Sequence, residues 1–288
     1  MDTVILIDSC TDLPYRYIKE HNIPVFHLTY HFQGRDNKDD FGQSVDYKTF
    51  YDAVRGGEMP TTSQVNVDAY TRTFRSYIEQ GKSVLYLAFS SALSGSYNSS
   101  VMARDMLLEE YPDADITVID TKAASLGEGL LVWHAVNLLE SGAAKDEIVQ
   151  WVENNKLKLA HWFTVEDLNH LKRGGRVSGV AAFIGTILDI KPILHVDNEG
   201  RLIPVSKVKG RKKSIKALFE KLEDTIVNPE EQVIFISHGD SEEDARHLAD
   251  LIRSRFKVRD ILINYVGPVI GAHSGPGTLA LFFLAEKR

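Results

Sequence analysis

The chain has 288 residues, 43% hydrophobic and 25% charged, and a formal net charge of −7. That balance argues against a disordered chain or a membrane span, and the negative total argues against a protein that grips a nucleic acid backbone. Cys10, the single cysteine, has no partner for an internal disulfide and builds no zinc cage, in keeping with a reducing compartment.

The apolar stretch Val4-Ile5-Leu6-Ile7 is too short for a secretory signal and lacks basic flanks, so a cytoplasmic location is expected. The same stretch reads as a buried strand, followed by Asp8, Ser9, Thr11 and Asp12 as turn and cap residues and by Pro14 at a first helical position. Pro24 to Phe32 reads as a second strand, Asp46 to Val54 as a helix, and Ser83 to Phe89 as a strand running directly into Ser90-Ser91-Ala92-Leu93-Ser94-Gly95-Ser96. Met102/Met106 and Ala103/Leu107 are helical i,i+4 pairs that precede Tyr111-Pro112. Ile116 to Asp120 is a further strand, and Leu131, Ala135 and Leu138 mark the core side of a helix that Ser141-Gly142 ends. Strands alternating with helices imply a mainly parallel sheet, with ligands at the C-terminal edge of its strands.

The polar run Glu153-Asn154-Asn155-Lys156 marks a boundary between an N-terminal α/β domain, 1–156, and a C-terminal α/β domain, 157–288. Beyond it, strand signals at Leu159 to Thr164, Ile190 to Val196, Leu202 to Val208, Val233 to Ser237 and Asp260 to Val266 are interrupted by helices near Gly179 to Leu188, Ser214 to Leu222 and Glu242 to Phe256. The pair flanking Asp197-Asn198-Glu199-Gly200 predicts a hairpin, and hence a mixed or antiparallel sheet covered by helices.

Several enzyme signatures are missing. Gly81-Lys82-Ser83 resembles the end of a P-loop, but position 76, where the motif needs glycine, is Ser76. Gly271-Ala272-His273-Ser274-Gly275 places its serine one residue late for a nucleophile elbow. The pairs Asp39-Asp40 and Asp113/Asp115 sit in turn-like surroundings that favour solvation, and no metal site or cofactor is expected.

What remains is a set of neutral donors on predicted loops. Pro60-Thr61-Thr62-Ser63-Gln64 precedes a helix that Asn66 caps, Ser94-Gly95-Ser96 stands at a helix N-terminus, and the glycine-rich loop Gly267 to Gly277 carries His273 and Ser274. Each alone reads equally as a cap or a turn; together they favour an anionic ligand, carboxylate or phosphate.

Ile7-Asp8-Ser9 with Asp12-Leu13-Pro14, Thr61-Thr62-Ser63-Gln64, Ser90 to Tyr97, Val118-Ile119-Asp120-Thr121, Leu171-Lys172-Arg173-Gly174-Gly175-Arg176-Val177-Ser178, Lys191-Pro192-Ile193-Leu194 and the Gly267 to Gly277 loop resemble, in order, the bacterial DegV family. The resemblance implies two α/β domains with a ligand cleft or tunnel between them. It also implies a non-catalytic long-chain fatty acid carrier, similar to the fatty-acid-binding subunit of a fatty acid kinase, which presents the acid to a separate kinase for acyl-phosphate formation and touches membranes transiently to collect it. Val65 departs from the family pattern, in which proline is common.

On that resemblance Thr62, Ser63, Ser94, Gly95, His273, Ser274 and Gly275 surround the carboxylate, and Phe183, Ile184, Ile187 and Leu188 are candidates to line the tail's tunnel, against the plainer reading of ordinary core. Burying roughly fifteen methylenes contributes about 12 kcal/mol gross, much of it lost to association costs. Arg173 and Arg176 flank Gly174-Gly175, and Lys207, Lys209, Arg211, Lys212 and Lys213 crowd one short stretch; these basic residues are suited to docking the kinase, against the plainer reading of a solvated surface. A serine acyl hydrolase using Ser94 or Ser274 with His273, and a sensor of a phosphorylated ligand, are the alternative readings.

Overall fold

A computed structural model describes residues 2–177 and 189–288. In the first half, strands run over Thr3–Asp8 (β1), Val25–Phe26 (β2), Thr29–Phe32 (β3), Arg35–Lys38 (β4), Thr61–Ser63 (β5), Ser83–Ala88 (β6) and Ile116–Asp120 (β7). The helices there are Tyr15–Glu20 (α1), Tyr47–Arg55 (α2), Val67–Ile78 (α3), Ser96–Glu110 (α4), Leu126–Glu140 (α5) and Lys145–Asn155 (α6). The second half adds β8 (Leu159–Thr164), α7 (Leu168–Gly174), β9 (Ile190–Val196), β10 (Leu202–Lys209), α8 (Arg211–Thr225), β11 (Val233–His238), α9 (Glu242–Arg255), β12 (Asp260–Tyr265), α10 (Pro268–Ser274) and β13 (Leu279–Leu284).

The four-stranded sheet β2-β1-β6-β7 is parallel throughout, and every residue of β6 is buried, as a strand covered on both faces requires. The six-stranded sheet β10-β9-β8-β13-β11-β12 is mixed, with β11 and β12 parallel and the other pairs antiparallel. The expected parallel and mixed sheets are therefore both present, as is the β9–β10 hairpin.

α3 and α4 cover one face of the parallel sheet, where Tyr70, Phe74, Ala103 and Leu107 meet Leu6, Val84 and Tyr86. Met102 and Met106, read as a second pair on α4, face outward and are exposed. On the other face lies α5. Its Leu126, Leu130, Leu131 and Ala135 share one cluster with Ile7, Leu85 and Leu87 of the parallel sheet and with Leu159, Phe163, Phe235 and Phe282 of the mixed sheet. A helix wedged between two sheets must be apolar nearly all round, so its buried set is wider than the single stripe Leu131, Ala135 and Leu138. α8 and α9 close the outer face of the mixed sheet through Ile215, Leu218, Leu222, Leu248 and Ile252. The order of layers is helix, parallel sheet, helix, mixed sheet, helix. Across the seam the guanidinium of Arg288 donates to the carbonyls of Lys122, Lys156, Leu159 and Asp197.

Several elements differ from expectation. Pro24 to Phe32 is two strands in two sheets, because β3 leaves the parallel sheet to form the antiparallel trio β4-β3-β5. Thr61–Ser63 is a strand of that trio rather than a loop, and α1 begins at Tyr15, one residue after Pro14. α6, α7, β4 and β13 have no counterpart in the sequence reading. The helix expected over Gly179 to Leu188, with Phe183, Ile184, Ile187 and Leu188, lies outside the described residues.

Candidate functional site

Gly267 to Gly277 is not a loop throughout: Pro268–Ser274 is helical, with Pro268 in the first turn where a missing N–H is harmless. Two of its glycines make room for the protein's own groups rather than for a ligand. A Cβ on Gly267 would lie 2.7 Å from Asp12 Oδ1 and 3.0 Å from Asp39 Oδ2, and one on Gly271 2.6 Å from the Tyr51 hydroxyl. The gaps hold specific bonds. Asp12 Oδ1 accepts from the Gly267 N–H at 2.9 Å, Asp39 Oδ2 accepts from the Val269 N–H at 3.3 Å, and the Tyr51 hydroxyl donates to the Val266 carbonyl at 2.8 Å. Residues of the first half thus hold the start of a second-half helix.

Asp39 is buried, not solvated as its neighbourhood in sequence suggests: its Oδ2 accepts from α10, and its Oδ1 has no hydrogen-bond partner among the described residues. Burial pushes its pKa up to about 7, and burial likewise holds Asp12 well above the usual carboxylate range, against the bonds from Ser125 and Gly267.

Held in this way, α10 sets His273 against β5, where Thr62 Oγ1 and His273 Nε2 are 2.8 Å apart. Burial first, and the nearby Arg176 guanidinium second, push the His273 pKa down to about 4, so the ring is neutral near neutral pH. Gly174 allows α7 to approach its Nδ1 side. Across from this pair stands the start of α4, with Gly95 at the N-cap. A side chain at Gly95 would strike the Gln64 amide, and the Ser94 hydroxyl donates to Ser96 Oγ at 3.0 Å while accepting from the Ser96 N–H at 3.2 Å. Val65, where the resemblance favours proline, donates its N–H to Ser96 Oγ at 3.2 Å, a bond proline cannot make.

These groups line one end of a chamber of about 420 Å³, within the usual range for small-molecule sites. The strand register gives the chamber its length. On the inner face of the mixed sheet, Thr278, Ala280 and Phe282 of the β13 segment run away from α10, with Phe163 opposite Ala280 and His161 opposite Phe282. Phe89, Leu93, Val196, Leu202 and Val269 complete a wall that is mainly apolar beyond the Thr62 and Ser94 end, with Ser125, His161, Ser237 and Thr278 as its polar members.

Of the seven residues assigned to the head group, Thr62, Ser63, Ser94, Gly95, His273 and Ser274 line this chamber. Gly275 does not: it ends α10 at φ 79°, packed against His170. The Ser274 hydroxyl is buried without a hydrogen-bond partner among the described residues. The basic residues separate. Arg176, though exposed, lines the chamber and donates to the Leu93 carbonyl at 3.3 Å, and Arg211 is half-buried and paired with Asp244 at 2.8 Å. Arg173, Lys207, Lys209, Lys212 and Lys213 are exposed. Sequence reasoning missed His161 and Phe163, whose alternation along β8 was the available signal, and Ala280 and Phe282 on an unrecognised strand. Among the described residues no three metal-ligating side chains cluster, and no helix is long and apolar enough to cross a membrane.

Fold and site together define an α/β protein with a mainly apolar chamber between its two large sheets and a cluster of hydroxyl groups at one end. The chain belongs to the DegV family, whose model, described as "Uncharacterised protein, DegV family", matches residues 2–286. A DegV domain-containing protein of Clostridium perfringens is 53% identical over 99% of this chain and 98% of its own length. A fatty acid-binding protein of Thermotoga maritima is 35% identical over 97% of this chain and 96% of its own. The solved structure of a fatty-acid-binding DegV family protein from Thermus thermophilus, 30% identical, superposes with a TM-score of 0.89 over 99% of this chain and 100% of that one.

The anchoring of α10 carries a pH dependence. Asp39 has a folded-state pKa of about 7 against an ordinary 3.8, so the stability it contributes is complete below about pH 4 and is lost as pH rises through 7. Between about pH 6 and pH 8 that loss is about 1.4 kcal/mol. Asp39→Asn, which mimics the protonated group, should shrink the fall in unfolding free energy between those two pH values. An identical fall in variant and wild type, measured by denaturant titration, would contradict the assignment.

Proposed function

We propose that this protein is a non-catalytic, cytoplasmic carrier of long-chain fatty acids, built as two domains, 1–156 and 157–288, that presents the acyl carboxylate to a separate fatty acid kinase. The observation that carries the reading is the Thr62–His273 pair and the α4 N-terminus at one end of an apolar chamber. With the neutral His273 donating from Nε2, the Thr62 oxygen accepts and its own hydrogen is left for a carboxylate. Ser274 adds a hydroxyl unpartnered among the described residues, Arg176 a fixed positive charge, and the first-turn N–H groups of the fifteen-residue α4 a local preference for anions. The Thermotoga and Thermus relatives, named for fatty acid binding, support the same ligand class.

The hydrolase reading has less support. The Ser94 hydroxyl is bonded to Ser96 and His273 Nε2 to Thr62, so neither supplies the serine–imidazole bond a nucleophile needs. A phosphorylated metabolite would leave most of the apolar wall unused.

Native mass spectrometry of protein purified from cells should reveal a retained long-chain fatty acid; a phosphorylated metabolite or a covalent acyl adduct in its place would overturn the carrier. Thr62→Val or Ser274→Ala should weaken fatty acid binding by about 1.5 to 3 kcal/mol, the worth of a hydrogen bond to a charged group, and His273→Ala, which frees Thr62 from the bond that aims its hydrogen, should weaken it too. Methyl esters should compete poorly in the same assay, and equal affinities for acid and ester would contradict recognition of an anion.

The exposed Arg173, Lys212 and Lys213 are proposed to dock the kinase. Replacing all three with glutamate should raise the carrier concentration needed for half-maximal kinase turnover while fatty acid affinity holds. The effect should fade near 1 M salt, where screening shortens to about 3 Å. Wild-type turnover by the triple variant at low salt would refute the docking role.

A further inference from the structure

The chamber has a second polar feature at the end away from α10. His161 is 1% exposed, lines the chamber, and has neither ring nitrogen hydrogen-bonded among the described residues. Its ring stands edge-on to Phe282, with centroids 5.1 Å apart, in a slot left open by Gly127, where any side chain would overlap Nε2. Paired with Phe282 across β8 and β13, it lies about 13 Å along the strand from Thr278. The neighbouring polar groups are already satisfied. The Ser125 hydroxyl donates to Asp12 Oδ2 and shares a bond of 2.9 Å with Ser237, and the Thr278 hydroxyl donates to the Gly275 carbonyl at 2.8 Å.

We propose that His161 is the recognition element of a hydroxyl-binding subsite, so that the preferred ligand is a long-chain fatty acid bearing a hydroxyl group along its chain. The inference rests on the fatty-acid reading above and extends it to the ligand's far half. A hydrocarbon tail packed against an unpartnered imidazole leaves that group without the hydrogen bonds it had in water, which buried polar groups in native proteins seldom tolerate. Burial, with Arg288 nearby, holds the imidazole neutral, which leaves one donor and one acceptor nitrogen in either tautomer. An alcohol both donates and accepts, so it complements either tautomer. A keto oxygen answers only the donor, and an anionic group would find the cation nearby, Arg288, with its guanidinium already donating to four backbone carbonyls.

The test uses the full chain, stripped of lipid, in competition between octadecanoic acid and a series of its monohydroxy isomers with the hydroxyl moved along the chain. One isomer should bind about tenfold more tightly than octadecanoic acid, the worth of one buried hydrogen bond. In His161→Leu that ratio should fall to one or below, and His161→Gln, which keeps a donor and an acceptor, should restore part of it. Should His161→Leu fail to fold, the wild-type isomer profile and His161→Gln decide the matter. Octadecanoic acid outcompeting every isomer would overturn the subsite, as would a preference that survives in His161→Leu. Failure of octadecanoic acid and all its isomers to bind would overturn the fatty-acid reading, and this inference with it.

Discussion

Two buried carboxyl groups of the first half hold the first turn of α10, and the polar end of the chamber follows from that contact. Asp12 and Asp39 accept from the N–H groups of Gly267 and Val269, groups that have no acceptor within their own helix. Only a residue without a side chain at position 267 lets both carboxyls approach together. With the start of α10 fixed, His273 one and a half turns later meets Thr62 on a strand that belongs to neither large sheet. Loss of the anchor would move the imidazole without touching any residue of the chamber.

The chamber exists because α5 fills only part of the layer between the sheets. Its body packs on both, while its N-terminal approach, Ala124 and Ser125, forms part of the chamber wall. The loops at the C-terminal ends of β6 and β7 reach the same space, as the general rule for parallel sheets leads one to expect. The mixed sheet supplies the opposite wall through one face of β8 and β13, whose other face packs under α8. Alternation along a strand therefore serves two environments: Ala280 and Phe282 turn to the chamber, Leu281 and Phe283 to the outer core.

Much of this was legible locally. The strands of the parallel sheet, the cap at Asn66, confirmed by its bond from the Ala69 N–H at 2.9 Å, and the hairpin at Asp197 to Gly200 each rest on signals a few residues long. The misses have physical reasons. β13 is a continuous apolar run buried on both faces, which has no period to read, whereas β4 is wholly polar because it forms an edge. α6 buries little beyond Ile148 and Val152. The glycine-rich segment Gly267 to Gly277 reads as a ligand-binding loop because the groups its glycines accommodate, Asp12, Asp39 and Tyr51, lie more than two hundred residues away in the chain. A glycine demanded by a distant neighbour looks the same in sequence as one demanded by a ligand.

The chamber's place in the middle layer ties occupancy to the durability of the whole molecule. Its walls come from both sheets, so whatever fills it acts as a removable piece of the interior, and an empty molecule forgoes the contacts that piece would make. A ligand that binds only the folded form adds about 2.7 kcal/mol at a hundredfold excess over its dissociation constant. The lifetime of the protein against proteases then follows the supply of whatever ligand fills the chamber: scarcity thins the population, and abundance preserves it, with no dedicated regulator.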